Sequence, residues 1–259
     1  MEHARLERYG LLGVTGADAR AFLHAQLTND IAGLPADRAA LAGWCSPKGR
    51  LLASFLVVPW TDGFLLQLSR DLVPTIAKRL AMFVLRSKVK VTDESAAWHQ
   101  LGVWGTLPAI AVPEAPLALA AAEGLIAVRM GEGRLLVLAK DPSPLERESR
   151  AVPPARWALD EIRAGRALIT AATQDLFVPQ MVNYEKVGAV NFQKGCYPGQ
   201  EVVARAQYRG QVKRRMRLVT LPPGSAPGPG EAYEEGTVVD AAPTDAGSEA
   251  LVVLPVEGE

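Results

Sequence analysis

Residues 191–217 read NFQKGCYPGQEVVARAQYRGQVKRRMR, and the eight residues Lys194-Gly-Cys-Tyr-Pro-Gly-Gln-Glu201 organise the rest of the chain. Pro198 suits a first helical turn, where its missing N–H costs nothing. Glu201 suits the positive end of a helix dipole, and Gly210 is a natural stop, so a helix is predicted from about Pro198 to Gly210. Cys196 then stands just ahead of a helix start and two residues from Lys194, and both neighbours favour thiolate over thiol. Gly195 and Gly199 let the backbone turn or approach a ligand closely. A free cysteine is by default a small buried hydrophobe. Cys45, which lacks comparable flanks, is read that way, whereas the lysine, the glycines and the helix start mark Cys196 as functional.

The same stretch carries a basic run. Arg205, Arg209, Lys213, Arg214, Arg215 and Arg217 fall within thirteen residues that contain no acid. If the helix continued, Arg205, Arg209 and Lys213 would share a face. Such a face suits a polyglutamate tail, RNA phosphates or an acidic protein surface. The plain alternative is a solvated face paired with the acidic C-terminal tail. Aromatic interleaving is limited to Tyr197 and Tyr208, which counts against nucleic acid.

The 259 residues include 28 basic and 28 acidic side chains, 49% hydrophobic and 22% charged residues, an ordinary globular composition that excludes disordered and fibrous classes. The longest strongly apolar run, Leu51 to Val58, is far short of the ~20 residues that cross a bilayer, and Met1 to Tyr9 shows no secretory pattern. A cytoplasmic protein that makes no membrane contact is expected. Two cysteines give neither a disulfide framework nor a CxxC clamp. His3, His24 and His99 form no ligand motif, so no resident metal is expected. Walker A, Rossmann and GxSxG patterns are absent. Asp175, Glu185 and Glu201 are acid–base candidates only in the weakest sense, because carboxylates are ordinarily surface groups. Zero net charge conceals an asymmetry. After Arg217 there is no basic residue and there are eight acids, so the tail is −8 and residues 1–217, with 28 bases against 20 acids, are +8.

Outward from this stretch the pattern is strand, helix, three strands, helix, strand. Tyr9 to Val14 reads as a strand, followed by a helix with Thr15 as N-cap and Asp18 in its first turn. Ala39–Cys45 and Arg50–Val58 read as strands joined at Ser46-Pro-Lys-Gly49, with Phe64–Leu68 next, a helix over 72–85 and a strand over Lys88–Thr92. The order argues for an α+β layer with antiparallel pairing rather than a βαβ nucleotide fold. Further strands are predicted at Gln100–Trp104, Leu125–Met130 and Arg134–Ala139, with a helix from Ala155 to Ala164 stopped by Gly165. Met216–Leu221, Thr237–Ala241 and Ala250–Leu254 read as strands of a small β module, and the Pro/Gly-rich 222–230 is irregular. Three segments are expected: an N-terminal αβ domain (1–96), a second αβ domain carrying KGCYPGQE (97–212) and a short β module (213–259).

KGCYPGQE resembles the signature of the YgfZ family, folate-binding relatives of the glycine-cleavage T protein in the aminomethyltransferase superfamily. Ala204-Arg205 to Arg209-Gly210, Phe177-Val-Pro-Gln180 with Asn183, Val14-Thr-Gly-Ala-Asp18, Gln26-Leu-Thr-Asn-Asp30 and Lys48-Gly-Arg50 also agree, so the resemblance spans most of residues 9–217. Ser46-Pro47 departs from the more usual acidic residue, and the C-terminal module is short. The resemblance implies ferredoxin-like αβ layers arranged as a ring around a central opening, a small β-barrel-like C-terminal module, and tetrahydrofolate as ligand, which makes the N-terminal αβ domain (1–96) the folate-binding one. It also implies support of iron–sulphur enzymes or their assembly factors, including tRNA methylthiolation. By local matching the family's two aromatic folate contacts fall on Tyr9, seven residues before Gly16, and Trp157, five before Ile162. Either ring offers a π face and a polar tip. Arg205, from the basic run, joins Tyr9 and Trp157 as a cofactor-binding candidate, Cys196 and Lys194 are the catalytic candidates, and Gly195, Tyr197, Gly199, Gln200 and Glu201 complete the motif. A tetrahydrofolate-dependent aminomethyltransferase and a scaffold docking tRNA or protein are the alternatives. The signature does not by itself specify a catalysed reaction.

Overall fold

The computed structural model describes residues 1–210 and 212–256; Gln211 and the tail acids Glu257 and Glu259 lie outside the described residues. In chain order the elements are β1 (Glu2–Arg5), β2 (Tyr9–Thr15), α1 (Ala19–Gln26), β3 (Ala40–Cys45), β4 (Leu51–Trp60), β5 (Gly63–Ser69), α2 (Val73–Val84), β6 (Lys90–Asp93) and β7 (His99–Trp104). There follow β8 (Leu119–Ala122), β9 (Leu125–Gly131), β10 (Arg134–Ala139), α3 (Ser143–Arg147), β11 (Arg150–Ala151), α4 (Ala155–Arg163), α5 (Gln200–Tyr208), β12 (Arg214–Leu221), β13 (Ala232–Tyr233), β14 (Gly236–Thr244) and β15 (Gly247–Pro255).

The chain divides into two compact units, each gathered from separate pieces of sequence. The first comprises residues 1–20, 33–40 and 56–157, and the second 21–32, 41–55 and 158–259. In the first unit a six-stranded sheet runs β11-β1-β7-β10-β9-β8, antiparallel except for the β1–β11 pair. Alternate residues Leu101 and Val103, Leu135, Val137 and Ala139 share one core with Ala127 and with Leu145 of α3. That is the period-2 pattern of a sheet with one buried face. The first unit also pairs β6, β2, β5 and residues 56–60 of β4, with β2 central and buried along six of its seven residues. Helix α2 buries Val73, Ile76 and Leu80, a spacing that keeps them on one face of the helix.

In the second unit β3 lies beside β4, and the C-terminal segment forms a four-stranded sheet in the order β12-β15-β14-β13. Its core is Leu221, Val238, Ala250 and Val252. A register shift between Val238 and Asp240 bends β14, which gives the sheet its curl. The Pro/Gly-rich 222–230 carries no strand or helix, as expected.

Two local expectations are corrected. Thr15 closes β2 rather than capping a helix. Gly16 then takes a φ of +116°, Asp18 accepts the backbone N–H of Lys88 at 2.7 Å, and α1 begins at Ala19. The predicted ladder Arg205–Arg209–Lys213 does not form on one helix. Helix α5 stops at Tyr208, and the residues from Arg214 pair instead with β15.

Candidate functional site

The segment Lys194–Glu201 packs on the turn Ser46–Gly49, and two glycines permit the approach. Gly199 is the N-cap of α5 at φ +79°, and Gly49 closes its turn at φ +71°. A β-carbon on Gly199 would meet Ser46 O, and would lie 2.6 Å from Gly49 Cα. A β-carbon on Gly49 would lie 2.7 Å from Val202 Cβ. The turn is held by Gly49 N–H donating to Ser46 O at 2.8 Å, and Ser46 Oγ donates to Asp175 at 2.9 Å. Asp175 is thus a structural acceptor. Pro198 lies just before the cap, and Cys196 precedes the first helical residue by four positions.

Lys194 is the anchor of the loop. It is 9% exposed, and its Nζ donates to Leu27 O at 2.7 Å and to His24 O, carbonyls of the last turn of α1. A cation there also complements the helix dipole. The ammonium sits 4.8 Å from the centre of the Tyr197 ring. Burial lowers the Lys194 pKa from 10.5 to about 8, against the opposing charges of Asp30 and Cys196. Asn191 Oδ1 accepts the N–H groups of Gln193 at 2.8 Å and Lys194 at 3.1 Å, which turns the chain into the loop. Tyr197 is buried, and its hydroxyl is pushed up by that burial. Gln200 Nε2 reaches Lys194 O at 3.5 Å, and Glu201 stands exposed in the first turn of α5.

This frame leaves the two thiols in opposite settings. Cys196 is exposed. Cys45 is buried on β3, and burial together with the charge of Asp175 pushes its thiol up to about 12. The structure also brings in His24, whose Nε2 lies 3.7 Å from where a β-carbon on Gly195 would stand and whose Nδ1 lies 3.1 Å from Asp30 Oδ1. Its 172-position sequence separation from Cys196 left no spacing by which to find it.

The basic run separates into two halves. Arg205, Arg209 and Lys213 are exposed. Arg215 donates to Gln180 O at 3.2 Å and Asn183 Oδ1 at 3.1 Å, and pairs with Glu185; Arg214 donates to Glu235 O. Glu185 is therefore a structural counter-ion. Gln180 is fully buried, with Nε2 on Val203 O of α5 at 2.7 Å, and Asn183 donates to Met216 O of β12 at 2.8 Å.

Tyr9 and Trp157 both belong to the first unit. Tyr9 lines a cavity of about 110 Å³ with Arg70, Ser95, Trp98, Gln100 and Glu146. Gln100 Nε2 donates to Tyr9 O at 3.2 Å. The Glu146 carboxylate in this lining is paired with Arg5, at 2.6 and 2.9 Å. Trp157 is 2% exposed. Its indole packs on Gly102, where a β-carbon would stand 2.7 Å from Cδ2, meets Trp104 edge-on at 5.8 Å, and lies under the Arg134 guanidinium at 4.8 Å. Among the described residues there is no cluster of three or more metal-ligating side chains, and no helix is long and apolar enough to cross a membrane.

The α+β architecture with its curled C-terminal sheet is that of the glycine-cleavage T protein. The aminomethyltransferase T of Bartonella henselae superposes with a TM-score of 0.73 at 15% identity, over 98% of this chain and 78% of that one. No protein-family model matches the sequence. Among curated relatives, the tRNA-modifying protein YgfZ of Edwardsiella ictaluri (strain 93-146) is 33% identical over 229 residues, covering 82% of this chain and 69% of its own. The YgfZ protein of Sodalis glossinidius (strain morsitans) is 30% identical over 244 residues, covering 88% and 74%. The chain belongs to the YgfZ family.

Proposed function

We propose that this protein is a cytoplasmic tetrahydrofolate-binding accessory factor that supports the assembly or repair of iron–sulphur enzymes, among them enzymes that methylthiolate tRNA. The observation that carries the reading is the exposed Cys196 thiol on a loop fixed from beneath by buried Lys194, in a relative of proteins named for tRNA modification. A thiol that must meet a partner protein needs exposure, and one that must meet it reproducibly needs a rigid loop. Lys194 supplies the second by tying residues 194–197 to the end of α1.

For the folate, Tyr9 and the polar lining of its cavity supply the pterin contacts. Bound tetrahydrofolate would contribute a reduced pterin able to carry a one-carbon unit. Trp157 is the second aromatic contact of this reading; it is 2% exposed and packs on Gly102, and Tyr9 is 7% exposed. The aminomethyltransferase reading rests on the T-protein fold alone.

Complementation of tRNA methylthiolation by Cys196→Ala tests the thiol. Failure with normal protein level and folding supports the reading, and complementation equal to wild type overturns it. Titration with reduced folates tests the ligand. Tyr9→Ala is expected to weaken binding, and unchanged binding removes Tyr9 from the site. Robust glycine-cleavage turnover with a lipoylated carrier would favour the transferase.

A further inference from the structure

The exposed side of α5 carries a feature of which the folate reading takes only Arg205 and the thiol reading takes nothing. Arg205, Tyr208 and Arg209 stand three and four residues apart, the spacing that places side chains on one side of a helix end. Tyr208 is 69% exposed. It is not a loose ring, because Phe192, from the loop that leads to Cys196, meets it edge-on with centroids 6.0 Å apart. Tyr197 is drawn into the core, whereas Tyr208, packed on Phe192, stays at the surface of the helix end that also carries the exposed Arg205 and Arg209.

Among the described residues, the plain alternative of pairing with the acidic tail does not describe these arginines. Within the described residues Glu249 pairs with Arg163, and Glu235 offers only its carbonyl, to Arg214. Neither Arg205 nor Arg209 is bonded to a carboxylate among the described residues.

The geometry points to a docking face for unpaired RNA on α5, with a base stacked on Tyr208 and adjacent phosphates on Arg205 and Arg209. An acidic protein face would satisfy the arginines but leave the exposed Tyr208 ring, braced by the half-buried Phe192, without a purpose, whereas single-stranded nucleic acid uses both charge and a stacking platform. Phe192 is also four residues from Cys196, so the two Cα atoms lie within about 14 Å of each other. The inference deepens the proposed function by assigning it an RNA contact, and it is tested without folate or the thiol.

The experiment is fluorescence anisotropy of a labelled RNA stem-loop with an unpaired loop, and of the matching full duplex, over about 50–200 mM salt. Wild type is expected to prefer the stem-loop. Tyr208→Ala should weaken that binding about tenfold, with Tyr208→Phe close to wild type. The double variant Arg205→Gln/Arg209→Gln should flatten the log–log salt slope by about 1.4, from roughly 0.7 per phosphate contact. No binding by wild type, equal binding of the duplex, or an unchanged Tyr208→Ala affinity overturns the assignment. Binding of a polyglutamylated folate that is lost in the double variant, with the RNA unbound, gives the face to the folate tail instead. Each of these outcomes leaves the Cys196 complementation result and the Tyr9 titration standing, so the two readings fail separately.

Discussion

Replacing Gly199 by Ala tests the reasoning about the motif most directly, because the structure supplies its own control. Gly199 and Gly188 lie in the same compact unit and share a left-handed backbone, at φ +79° and +70°. A β-carbon in that conformation costs about 1–2 kcal/mol wherever it occurs. At Gly188 nothing lies within 4 Å of the new carbon, so Gly188→Ala is expected to cost that amount alone. At Gly199 the carbon would sit 2.6 Å from Gly49 Cα and 2.7 Å from Gly49 N, and it would also meet Ser46 O. All three are backbone atoms, so relief requires the turn Ser46–Gly49 or the start of α5 to move. Overpacking of this kind adds about 1–3 kcal/mol. The total for Gly199→Ala is then about 2–5 kcal/mol. Urea unfolding of the three proteins, with m-values compared, provides the measurement. Equal losses for the two variants would refute the claim that the motif glycine exists to let the turn approach. Because Gly49 and Gly199 face each other, the double Ala variant should also depart from additivity.

The two thiols should separate in solution. Native protein is expected to release one equivalent with a thiol reagent at pH 8, and the second only after denaturation, with the native equivalent lost in Cys196→Ala; two fast equivalents would refute the burial of Cys45. Because the folded Cys45 pKa is raised, its contribution is full below the unfolded value near 8.5 and declines as pH rises toward about 12, so Cys45→Ala should flatten alkaline destabilisation. Lys194→Met removes two charge-assisted bonds while relieving a buried ammonium, and a net loss of about 1–3 kcal/mol is expected in urea. The folded Lys194 binds its proton less tightly than the unfolded chain does, so wild type should gain on the variant as pH rises from about 8 to 10.5; a narrowing gap would refute the dominance of desolvation. At the other extreme, hydrogen bonds from Arg150 and Arg156 hold the Glu2 pKa at about 2. Its contribution should be present above pH 4.5 and vanish as pH falls through about 2, and an unchanged acid limb in Glu2→Gln would count against it.

The strands were legible where local pattern sufficed. Runs such as Leu51 to Val58 and Arg134 to Ala139 are dense in residues that suit a buried strand, and each falls inside an observed one. Strand β1, Glu2–Arg5, has no such pattern and exists because Leu101–Trp104 and Arg150–Ala151 lie on either side of it. The misplaced start of α1 has the same origin, since Lys88, seventy positions away, accepts and donates the bonds that hold Asp18. The Lys194 motif was visible as a local frame for a cysteine. Its anchor on His24 and Leu27 was not, because hydrogen bonds that close a loop of more than 160 residues leave no mark in spacing.

The division of the basic run follows from what each half packs against. Residues from Arg214 onward enter β12, where strand pairing fixes the backbone. There the Arg215 guanidinium serves Gln180 O, Asn183 Oδ1 and the partly buried Glu185. The second carboxylate oxygen of Glu185 is buried without a partner among the described residues, so removing Arg215 strands a charge. Breaking a buried pair from one side costs about 3–5 kcal/mol, and the 30% exposure of the Arg215 side chain reduces that to about 2–4. Arg205 and Arg209 hold no such contacts among the described residues, so their replacement should leave the fold within about 0.5 kcal/mol of wild type. A pair of variants therefore divides the positive charge by purpose. Arg215→Gln is expected to lower stability, and Arg205→Gln/Arg209→Gln to change polyanion affinity while unfolding as wild type does. If Arg215→Gln proved as stable as wild type, the positive charge of the strand would belong to the surface after all, and the boundary drawn at the end of α5 would be wrong.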